Sequence, residues 1–480
     1  MDTPSDRPGD RSVVPRAGAS SGSFVDSHDV VVLGAGPAGL GAAFRLAGDG
    51  YSVAVIEREP FVGGLASSFT VGGVRVDHGS HRLHPSVAPE ILATLQALLG
   101  DDLQARPRRG RIAMSGRFVP FPPTASGLMR SLPPMLAARL LRDAVSAPLR
   151  RAQADSFAEV VRASMGPTLL REFYSPMIEK LFGIAPDLLA GELARRRVGT
   201  PSAAAYARRV LRPGPRSRGR MFFYPRRGYG QICEALADAA SVGGARIDTN
   251  ATVTRLEVGE DQTSVSLADG RRLAAGVVLS TLPLAALARL ASGPRIDLST
   301  RALTLVYLVL DRRQWTEFDA HYLPDARVPI VRISEPRNYR NSTDDPADRT
   351  VLCAEWPCAR GDAVWEAQPR DLAEQIRAAL ASIGLAIPSP LDVEVRHVGN
   401  AYPVYDLEYA SRFGSLDAWA QSLEPRVVSF GRQGLFAHDN AHHALAMGWR
   451  AAACVTRSGG FDRTAWASAR HEFAHHVVED

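Results

Sequence analysis

The 480-residue sequence contains one lysine, Lys180, so almost all of its positive charge is carried by arginine. The formal net charge is +5. No recognised nucleic-acid-binding motif accompanies the arginines, and the charge alone therefore does not indicate a nucleic-acid partner. Where arginine replaces lysine as the general cation, a retained lysine suggests a role that needs a compact ammonium group. The alternative is a surface lysine without a specific role.

Cysteine and long apolar runs are also scarce. The four cysteines are scattered, which predicts neither a disulfide framework nor a CxxC metal site and fits a reducing cytoplasm. No apolar run reaches the roughly 20 residues that a membrane-spanning helix needs. Residues 1–28 are rich in Pro, Gly, Ser and charge and lack the apolar core of a secretory signal, so we expect a disordered tail. The sequence predicts a cytoplasmic protein without an integral membrane segment, and its oligomeric state is left open.

A nucleotide-binding unit is indicated by 29-DVVVLGAGPAGLGAAFRLAGDGYSVAVIERE-59. A buried strand leads into Gly34-x-Gly36-x-x-Gly39, a helix of small residues follows, and a second strand ends at Glu57. In such a unit the three glycines permit a tight turn, a close approach of pyrophosphate and close helix packing, while the acid accepts ribose hydroxyls. A structural glycine turn is the alternative. The predicted nucleotide-binding residues here are Gly34, Gly36, Pro37, Ala38, Gly39, Glu57 and Arg58.

The next stretch, 60-PFVGGLASSF-69, resembles the second signature of FAD enzymes of the amine-oxidase and protoporphyrinogen-oxidase superfamily. NAD enzymes generally lack this Gly-Gly doublet, so the resemblance implies FAD as cofactor. The segments 245-ARIDTNATVTRLEV-258 and 427-VVSFGRQGLFAHDNAHHALAMGWRAA-452 resemble later FAD-contacting segments of the same superfamily. The FAD-binding residues implied by the resemblance are Gly63, Gly64, Leu65, Val253, Gly431, Arg432 and Asn440.

Within the superfamily, the sequence is most similar to UDP-galactopyranose mutase and related protoporphyrinogen-oxidase-like proteins. The resemblance covers residues 29 to about 455 and is carried by VDHGSHRLH (76–84), LREFYSPMIEKLFGI (170–184), FFYPRRGYGQICEAL (222–236) and NAYPVYDLEY (400–409). It implies an α/β fold in which a Rossmann-like FAD-binding domain of the GR2 type is interleaved with a mixed α+β substrate domain. We assign 29–85, 221–300 and 415–457 to the FAD domain, 86–220 and 301–414 to the substrate domain, and 458–480 to a C-terminal helix or tail.

Three histidines lie in 77-DHGSHRLHPS-86, which raises the question of a metal site. Metal-binding histidines usually have carboxylate or cysteine partners at fixed spacing. The DxGxHxxH pattern after a Gly-Gly doublet instead resembles the loop that passes under the flavin ring in this family. We therefore interpret His81 and His84 as catalytic groups beside the flavin, and His78 as structural.

Two other stretches resemble metal motifs. Residues 471-HEFAH-475 match the HExxH pattern of zinc proteases, but the match lies near the C-terminus and has no third ligand downstream. In 438-HDNAHH-443 the resemblance to the closing FAD segment already accounts for the histidines. No metal is predicted.

An arginine-rich span from Arg195 to Arg227 contains no acidic residue. We interpret 208–220 as a solvated insertion, whereas Arg196 falls about where the mutase places a pyrophosphate-binding arginine. Tyr402 and Tyr405 are predicted to help hold the substrate, and Lys180 matches a lysine of the family. The predicted catalytic residues are His81, His84, Arg196, Lys180, Tyr402 and Tyr405. Met177 and Phe182 stand where the mutase has Tyr and Trp around its uridine.

Two enzymatic hypotheses follow from this resemblance. The first is an FAD-dependent oxidoreductase that transfers a hydride from a small polar or anionic substrate, possibly sugar- or nucleotide-linked, to flavin N5. The alternative is a redox-neutral mutase of a nucleotide sugar, for which the same residues would serve. The missing uridine-binding aromatics favour the oxidoreductase. A flavin-binding protein without catalytic activity is a third possibility, and the retained histidine loop argues against it.

Overall fold

A computed structural model describes residues 25–114, 116–122, 127, 130–146, 155–198 and 221–478. The predicted insertion at 208–220 and residues 1–24 of the predicted tail lie outside these residues. The strands are β1 (Val25–Leu33), β2 (Val53–Ile56), β3 (Ser68–Val71), β4 (Val74–Asp77), β5 (Leu103–Pro107), β6 (Gly110–Met114), β7 (Arg117–Phe121), β8 (Met221–Pro225), β9 (Arg246–Asp248), β10 (Val253–Val258), β11 (Thr263–Leu267), β12 (Arg272–Ser280), β13 (Thr300–Leu310), β14 (Ala320–Tyr322), β15 (Arg332–Ser334), β16 (Thr350–Cys358), β17 (Asp392–Pro403) and β18 (Val427–Ser429).

The helices of seven or more residues are α1 (Pro37–Gly48), α2 (Pro89–Leu99), α3 (Pro134–Val145), α4 (Phe157–Ser164), α5 (Ser175–Phe182), α6 (Gly191–Val198), α7 (Gln231–Val242), α8 (Leu284–Leu290), α9 (Pro369–Ala381), α10 (Tyr409–Ser422), α11 (Ala441–Ala453) and α12 (Arg463–Phe473). None of the described helices is both long and apolar enough to cross a membrane. All four cysteines are buried and unpaired.

The first sheet has the strand order β10-β11-β12-β1-β2-β9, and β18 adds to β12. Its central pairs, β12–β1, β1–β2, β2–β9 and β12–β18, are parallel. A parallel sheet covered on both faces needs strands that are apolar at every position, and residues 30–33 of β1 are all fully buried. This explains the uninterrupted VVVL run.

Successive residues of β1 point into two different cores, because side chains alternate across a strand. Val30 and Val32 pack in the core that contains α1, α7 and α11. Val31 and Leu33 pack in the core on the opposite face, with α8 and α10. The sheet therefore has helices on both faces, and the predicted α/β fold class is confirmed.

The second sheet has the order β17-β13-β16-β15-β14-β6-β7 and is antiparallel except for the β14–β6 pair. Helix α9 covers it, with Leu372 and Ile376 packed in the same core as Leu308. Helices α4 to α6 form a separate core beside the sheet. Residues that follow β1 and β2, residues of the second sheet and residues of α5 and α6 line the same cavity.

Two of the predicted boundaries need correction. Strand β1 begins at Val25, and residues 25–28 pair with 272–275 of β12, so the ordered chain starts before residue 29. Backbone hydrogen bonds to β12 hold residues 25–28 in a strand although their polar composition suggested a tail. Strand β8, which we assigned to the FAD domain, pairs with β5 of the predicted substrate domain. The two predicted domains therefore share a two-stranded ribbon.

Candidate active site

The glycine loop between β1 and α1 contains glycines with different surroundings. Gly34 has φ +99°, and a Cβ there would lie 2.3 Å from the Thr281 Oγ1 atom. A Cβ at Gly39 would lie 1.9 Å from the Gly34 carbonyl oxygen. At Gly36, by contrast, a Cβ would meet no described atom within 4 Å. The outer two glycines are therefore required by the protein's own packing, and the middle one keeps space open for a ligand.

Helix α1 begins directly at this space. Its N-cap residue is Gly36, and no side chain caps the helix within the described residues. The first turn of an uncapped helix has free backbone donors and the positive end of the helix dipole, which together favour an anion such as pyrophosphate. The open space at Gly36 and this helix end fit the same group.

Glu57, at the end of β2, is only 8% exposed. One of its carboxylate oxygens accepts the Ala35 N–H at 2.8 Å, and the other accepts the Glu59 N–H at 3.0 Å. These two bonds fix the carboxylate at the edge of the glycine loop. A carboxylate held there is suited to accept hydrogen bonds from a ribose.

The Gly-Gly doublet forms a second loop against the first. Gly63 has φ +106° and donates its N–H to the Ala35 carbonyl at 2.7 Å. Gly64 has φ +51°, and a Cβ there would lie 3.5 Å from the Gly36 Cα. The doublet therefore lets two loops approach each other closely beside the open space.

The last predicted segment follows β18. Gly431 has φ +77°, and a Cβ there would come within 3.0 Å of the Ala38 Cβ. Arg432 is half-buried and donates to the carbonyls of Ala401, at 2.6 Å, and Asp439, at 3.2 Å. Asn440 is the N-cap of α11. Arg432 thus holds the backbone that presents the start of α11.

These segments surround a single cavity of about 1810 Å³. Ligand sites usually measure about 300–1,000 Å³, so this cavity has room for a dinucleotide and a substrate together. The predicted nucleotide-binding residues that line it are Gly34, Gly36, Pro37, Ala38, Glu57, Arg58, Gly64, Leu65, Val253, Arg432 and Asn440. Three others, Gly39, Gly63 and Gly431, are not in the lining and lie at the close contacts described above. The residues present fit an FAD molecule.

The histidine loop, 77–86, forms another part of the wall, and His78, His81 and His84 all line the cavity. His81 Nε2 lies 3.1 Å from the His78 carbonyl oxygen, and its ring stacks on Tyr229 with centroids 5.3 Å apart. Because a carbonyl only accepts, this Nε2 carries the proton, and Nδ1 keeps a lone pair. Burial lowers the pKa of His81, which keeps the imidazole neutral near pH 7.

The position of this loop depends on Asp77, a residue that the sequence analysis did not single out. Asp77 is 1% exposed. Its carboxylate accepts the Ser68 hydroxyl at 2.6 Å, the Tyr229 N–H at 3.0 Å and the hydroxyl of Tyr224. The three donors satisfy the hydrogen-bonding capacity that this buried carboxylate loses by leaving water. Asp77 therefore fixes the end of β4 from which the loop starts.

Three arginines meet around Tyr322 at the other side of the cavity, and sequence reasoning missed all of them. The Tyr322 hydroxyl accepts from Arg82 at 3.3 Å and from Arg108 at 3.1 Å, and the guanidinium carbon of Arg332 lies 5.8 Å from the ring centre. All four side chains line the cavity. We refer to Arg82, Arg108, Arg332 and Tyr322 as the arginine cluster.

Two arginines of the cluster have carboxylate partners. Arg332 forms a forked pair with Glu355, with both N–O distances 2.9 Å, and Glu355 also accepts the Ser80 N–H at 2.9 Å. Arg82 contacts Asp319 at 3.1 Å. Among the described residues Arg108 has no carboxylate partner, and it lies instead 4.5 Å from the centre of the Phe121 ring. The cluster thus carries one uncompensated positive charge.

The structure separates the predicted substrate-binding residues. Tyr402 lines the cavity, but Tyr405 is 2% exposed, stacks on Tyr409 and donates its hydroxyl to the Phe436 carbonyl at 2.6 Å. Arg196 pairs with Glu192 at 2.9 Å and is not in the lining, whereas its neighbour Arg197 is. Neither Arg196 nor Tyr405 lines this cavity. Arg196 and Arg197 differ because adjacent residues of α6 point in different directions, and Tyr405 is enclosed by its own packing.

Lys180 is likewise placed away from the cavity lining. Its ammonium group donates to the carbonyls of Leu323, Asp325, Val328 and Ile330. Burial lowers the pKa of Lys180 to about 8. The one lysine therefore holds the loop before β15 together. Its role in the structure is to position this loop.

Met177 and Phe182, which stand where the mutase has Tyr and Trp, have different surroundings in the structure. Met177 lines the cavity, and Phe182 is buried, with edge-to-face contacts to Tyr402 and His438. Phe182 therefore packs behind Tyr402. A ligand in the cavity would meet the Met177 side chain.

The parallel strands with helices on both faces of the sheet, the glycine loops and the cavity define a flavoprotein of the dinucleotide-binding α/β class. The sequence profile of the family described as flavin containing amine oxidoreductase matches residues 37–456, and the chain belongs to this family. Its cofactor is FAD, and it is an enzyme of an oxidoreductase family. The resemblance found in the sequence motifs is thereby confirmed.

Among characterised relatives, phytoene dehydrogenase of Streptomyces griseus is 28% identical over 280 residues, which cover 52% of this chain and 54% of that protein. The match spans about half the length of each. Crystal structures of similar fold include reduced UDP-galactopyranose mutase, with a TM-score of 0.74, 19% identity, and coverage of 88% of this chain and 92% of that one. A putative protoporphyrinogen oxidase from Exiguobacterium sp. 255-15 has a TM-score of 0.67, 16% identity, and coverage of 90% and 98%.

Proposed function

We propose that the protein is an FAD-dependent oxidoreductase that removes a hydride from a small anionic substrate bound between the histidine loop and the arginine cluster. The observation that carries this proposal is Arg108. A guanidinium that lines a cavity without a carboxylate partner favours a carboxylate or phosphate, with which it can form paired charge-assisted hydrogen bonds.

The charge of the whole lining supports an anionic substrate. Nine arginines and four carboxylates line the cavity among the described residues. The two phosphates of FAD offset part of this excess at the nucleotide end, but Arg108 lies in the arginine cluster with β14 and β15. An aliphatic amine is a cation near neutral pH and would be repelled there, and a hydrocarbon would leave the guanidinium desolvated.

The residues around the substrate have distinct proposed roles. When bound, FAD supplies the hydride acceptor. Arg108 anchors the anionic group, and the Arg332–Glu355 pair holds Ser80 and thus the histidine loop. His81, neutral and with Nδ1 unprotonated, accepts the proton that a substrate hydroxyl or amine must lose as its carbon is oxidised. Tyr402 completes the wall on the side of α6.

A redox-neutral mutase acting on a nucleotide sugar is the second candidate. The cavity volume and the three adjacent guanidinium groups would also suit a diphosphate. Met177 in the lining offers no stacking surface comparable to an aromatic ring for a base, which favours the oxidoreductase. The four unpaired cysteines fit a cytoplasmic location for either enzyme.

The proposal is tested by adding matched substrates to the oxidised holoenzyme without oxygen. Each set contains a carboxylate- or phosphate-bearing alcohol or amine, its neutral ester, and a cationic amine of similar length. Loss of the oxidised-flavin absorbance is expected with the anionic member, and the Arg108→Gln variant should need much more of it. Faster reduction by the cationic amine would contradict the proposed substrate class.

A further inference from the structure

The sequence analysis predicted no metal at the histidine stretches 438–443 and 471–475. In the structure, the first stretch meets His476, the residue directly after the second. Asp439 immediately precedes the N-cap of α11, and His443 lies in the first turn of that helix. His476 follows α12. The Asp439 side chain is 0% exposed, and those of His443 and His476 are 13% and 20% exposed. We call these three residues the C-terminal triad.

The spacing of the triad is close to that of a metal site. Asp439 Oδ1 lies 3.7 Å from His443 Nδ1, and Asp439 Oδ2 lies 3.4 Å from His476 Nδ1. One ligand atom from each of the three residues can be chosen so that all lie within 4.8 Å of one another. Zinc bonds of about 2.0–2.2 Å in a tetrahedron place ligand atoms about 3.3–3.6 Å apart. Small side-chain rotations would therefore close the triad around one ion.

The hydrogen bonds of the triad are long, and they leave one ligand atom without a partner among the described residues. His476 Nδ1 lies 3.4 Å from Asp439 Oδ2. Asp439 Oδ1 is buried and has no hydrogen-bond donor among the described residues. His443 Nδ1 accepts the Asn440 N–H at a long 3.3 Å, so this nitrogen carries a lone pair, and a bound metal ion would replace this weak hydrogen bond. A buried carboxylate oxygen without a donor is unfavourable unless a cation or water compensates it. The Asp439 negative charge also offsets the repulsion between a cation and the start of α11.

We propose that Asp439, His443 and His476 bind one divalent transition-metal ion of the zinc type. Two imidazoles and a carboxylate favour such an ion over magnesium or calcium, which prefer all-oxygen sites. Three protein ligands leave the fourth position for water. This proposal departs from the sequence expectation that the chain has no metal site, and the HExxH pair His471 and His475 is not part of the proposed site.

The ion would join the C-terminal segment to the cofactor side of the molecule. Val477 and Val478, directly after His476, line the cavity, and the Val478 N–H donates to the Arg196 carbonyl at 2.8 Å. Asp439 lines the cavity as well. Metal binding at the triad would therefore fix a piece of the cavity wall. Its role is structural, and no step of the proposed oxidation passes through it.

The experiment uses untagged holoenzyme that has been treated with a chelator and still contains its FAD. Zinc is titrated by calorimetry, and cobalt is used as a spectroscopic probe of tetrahedral coordination. Wild-type protein is expected to bind one equivalent of each ion. His476→Gln and Asp439→Asn should weaken zinc binding by at least about 100-fold. Loss of a residue that only supports a metal ligand already costs about 10- to 100-fold, and these two residues are proposed as ligands themselves. FAD content checks that the variants are folded.

The matched controls are His471→Gln and His475→Gln, which alter the neighbouring histidines of the same segment. Both should bind zinc like the wild type. The proposal is wrong if the wild type binds no stoichiometric zinc, in which case the triad is a plain hydrogen-bonded cluster. It is also wrong if His476→Gln binds as tightly as wild type, or if His471→Gln is the variant that loses the ion.

Discussion

The two ends of the cavity are built from different parts of the polypeptide. At the nucleotide end, backbone groups of the loops around Gly36 and Gly64 face the open space. At the substrate end, side chains dominate, and the arginine cluster brings together residues more than 200 positions apart in the chain. A site made of backbone depends on a few glycines. A site made of side chains depends on the exact placement of several elements, and single substitutions should therefore have graded effects there.

The largest expected effect is at the nucleotide end. Gly36→Val should abolish FAD retention, because its side chain would fill the space left for the pyrophosphate without touching the protein itself. The purified variant should be folded and colourless, as judged by circular dichroism and flavin absorbance. Gly414→Val, at an exposed helical glycine with no described atom near its Cβ, is the control and should stay yellow. A yellow Gly36→Val protein would remove the glycine loop from the cofactor site.

Replacing the histidines of the loop should have the next largest effect. His81→Ala and His84→Ala are expected to retain FAD and to lower turnover by about 100-fold or more if either side chain handles a proton. Turnover and flavin content are measured on the same samples. His471→Ala and His475→Ala should be nearly neutral. Parallel loss of flavin and turnover would show that the loop has a structural role instead.

Arg108 should affect substrate binding more than catalysis. Arg108→Gln removes a charge-assisted contact of about 1.5–3 kcal/mol, which corresponds to an increase of roughly 10- to 150-fold in KM with kcat little changed. Arg111→Gln is the control, since Arg111, in β6, also lies over an aromatic ring, that of Phe118, but is not in the cavity lining. Equal KM values for Arg108→Gln and wild type would place the substrate anion elsewhere.

The smallest effect is expected at Lys180, where stability changes more than activity. Lys180→Met leaves carbonyls of the loop before β15 without their donor and should lower the free energy of unfolding by about 1–3 kcal/mol. Denaturant unfolding measures this change. Arg327→Met, at an exposed arginine of the same loop, should change stability by no more than about 0.5 kcal/mol. A large fall in kcat without loss of stability would return Lys180 to the list of catalytic residues.

The difference between the two ends also explains what could be predicted from sequence. Gly34, Gly36 and Gly39 each have a local reason to be glycine, and that reason is visible in a short motif. The VVVL run and the helix of small residues beside it indicated a nucleotide-binding strand-helix-strand unit, and the family resemblance extended this to the α/β class. Both signals come from neighbouring residues, so they do not require knowledge of the tertiary packing.

The arginine cluster has no such local signal. Arg108 and Arg332 lie in unremarkable stretches and come together only because β14 pairs with β6 and β15. The structure places Arg197, and not Arg196, in the cavity lining, because the direction of a helical side chain depends on which face of α6 packs inward. Val25 was assigned to the tail on composition, and its pairing with Arg272, which is distant in sequence, leaves no local signal.

The central claim, that the enzyme oxidises its substrate, is tested most directly by the mass of the product made by oxidised holoenzyme in air. The account predicts a product two hydrogens lighter than the substrate, with one equivalent of oxygen or another acceptor consumed in each turnover. A product of the same mass as the substrate, formed only after the enzyme has been reduced and without consumption of an acceptor, would contradict the account and establish the mutase alternative.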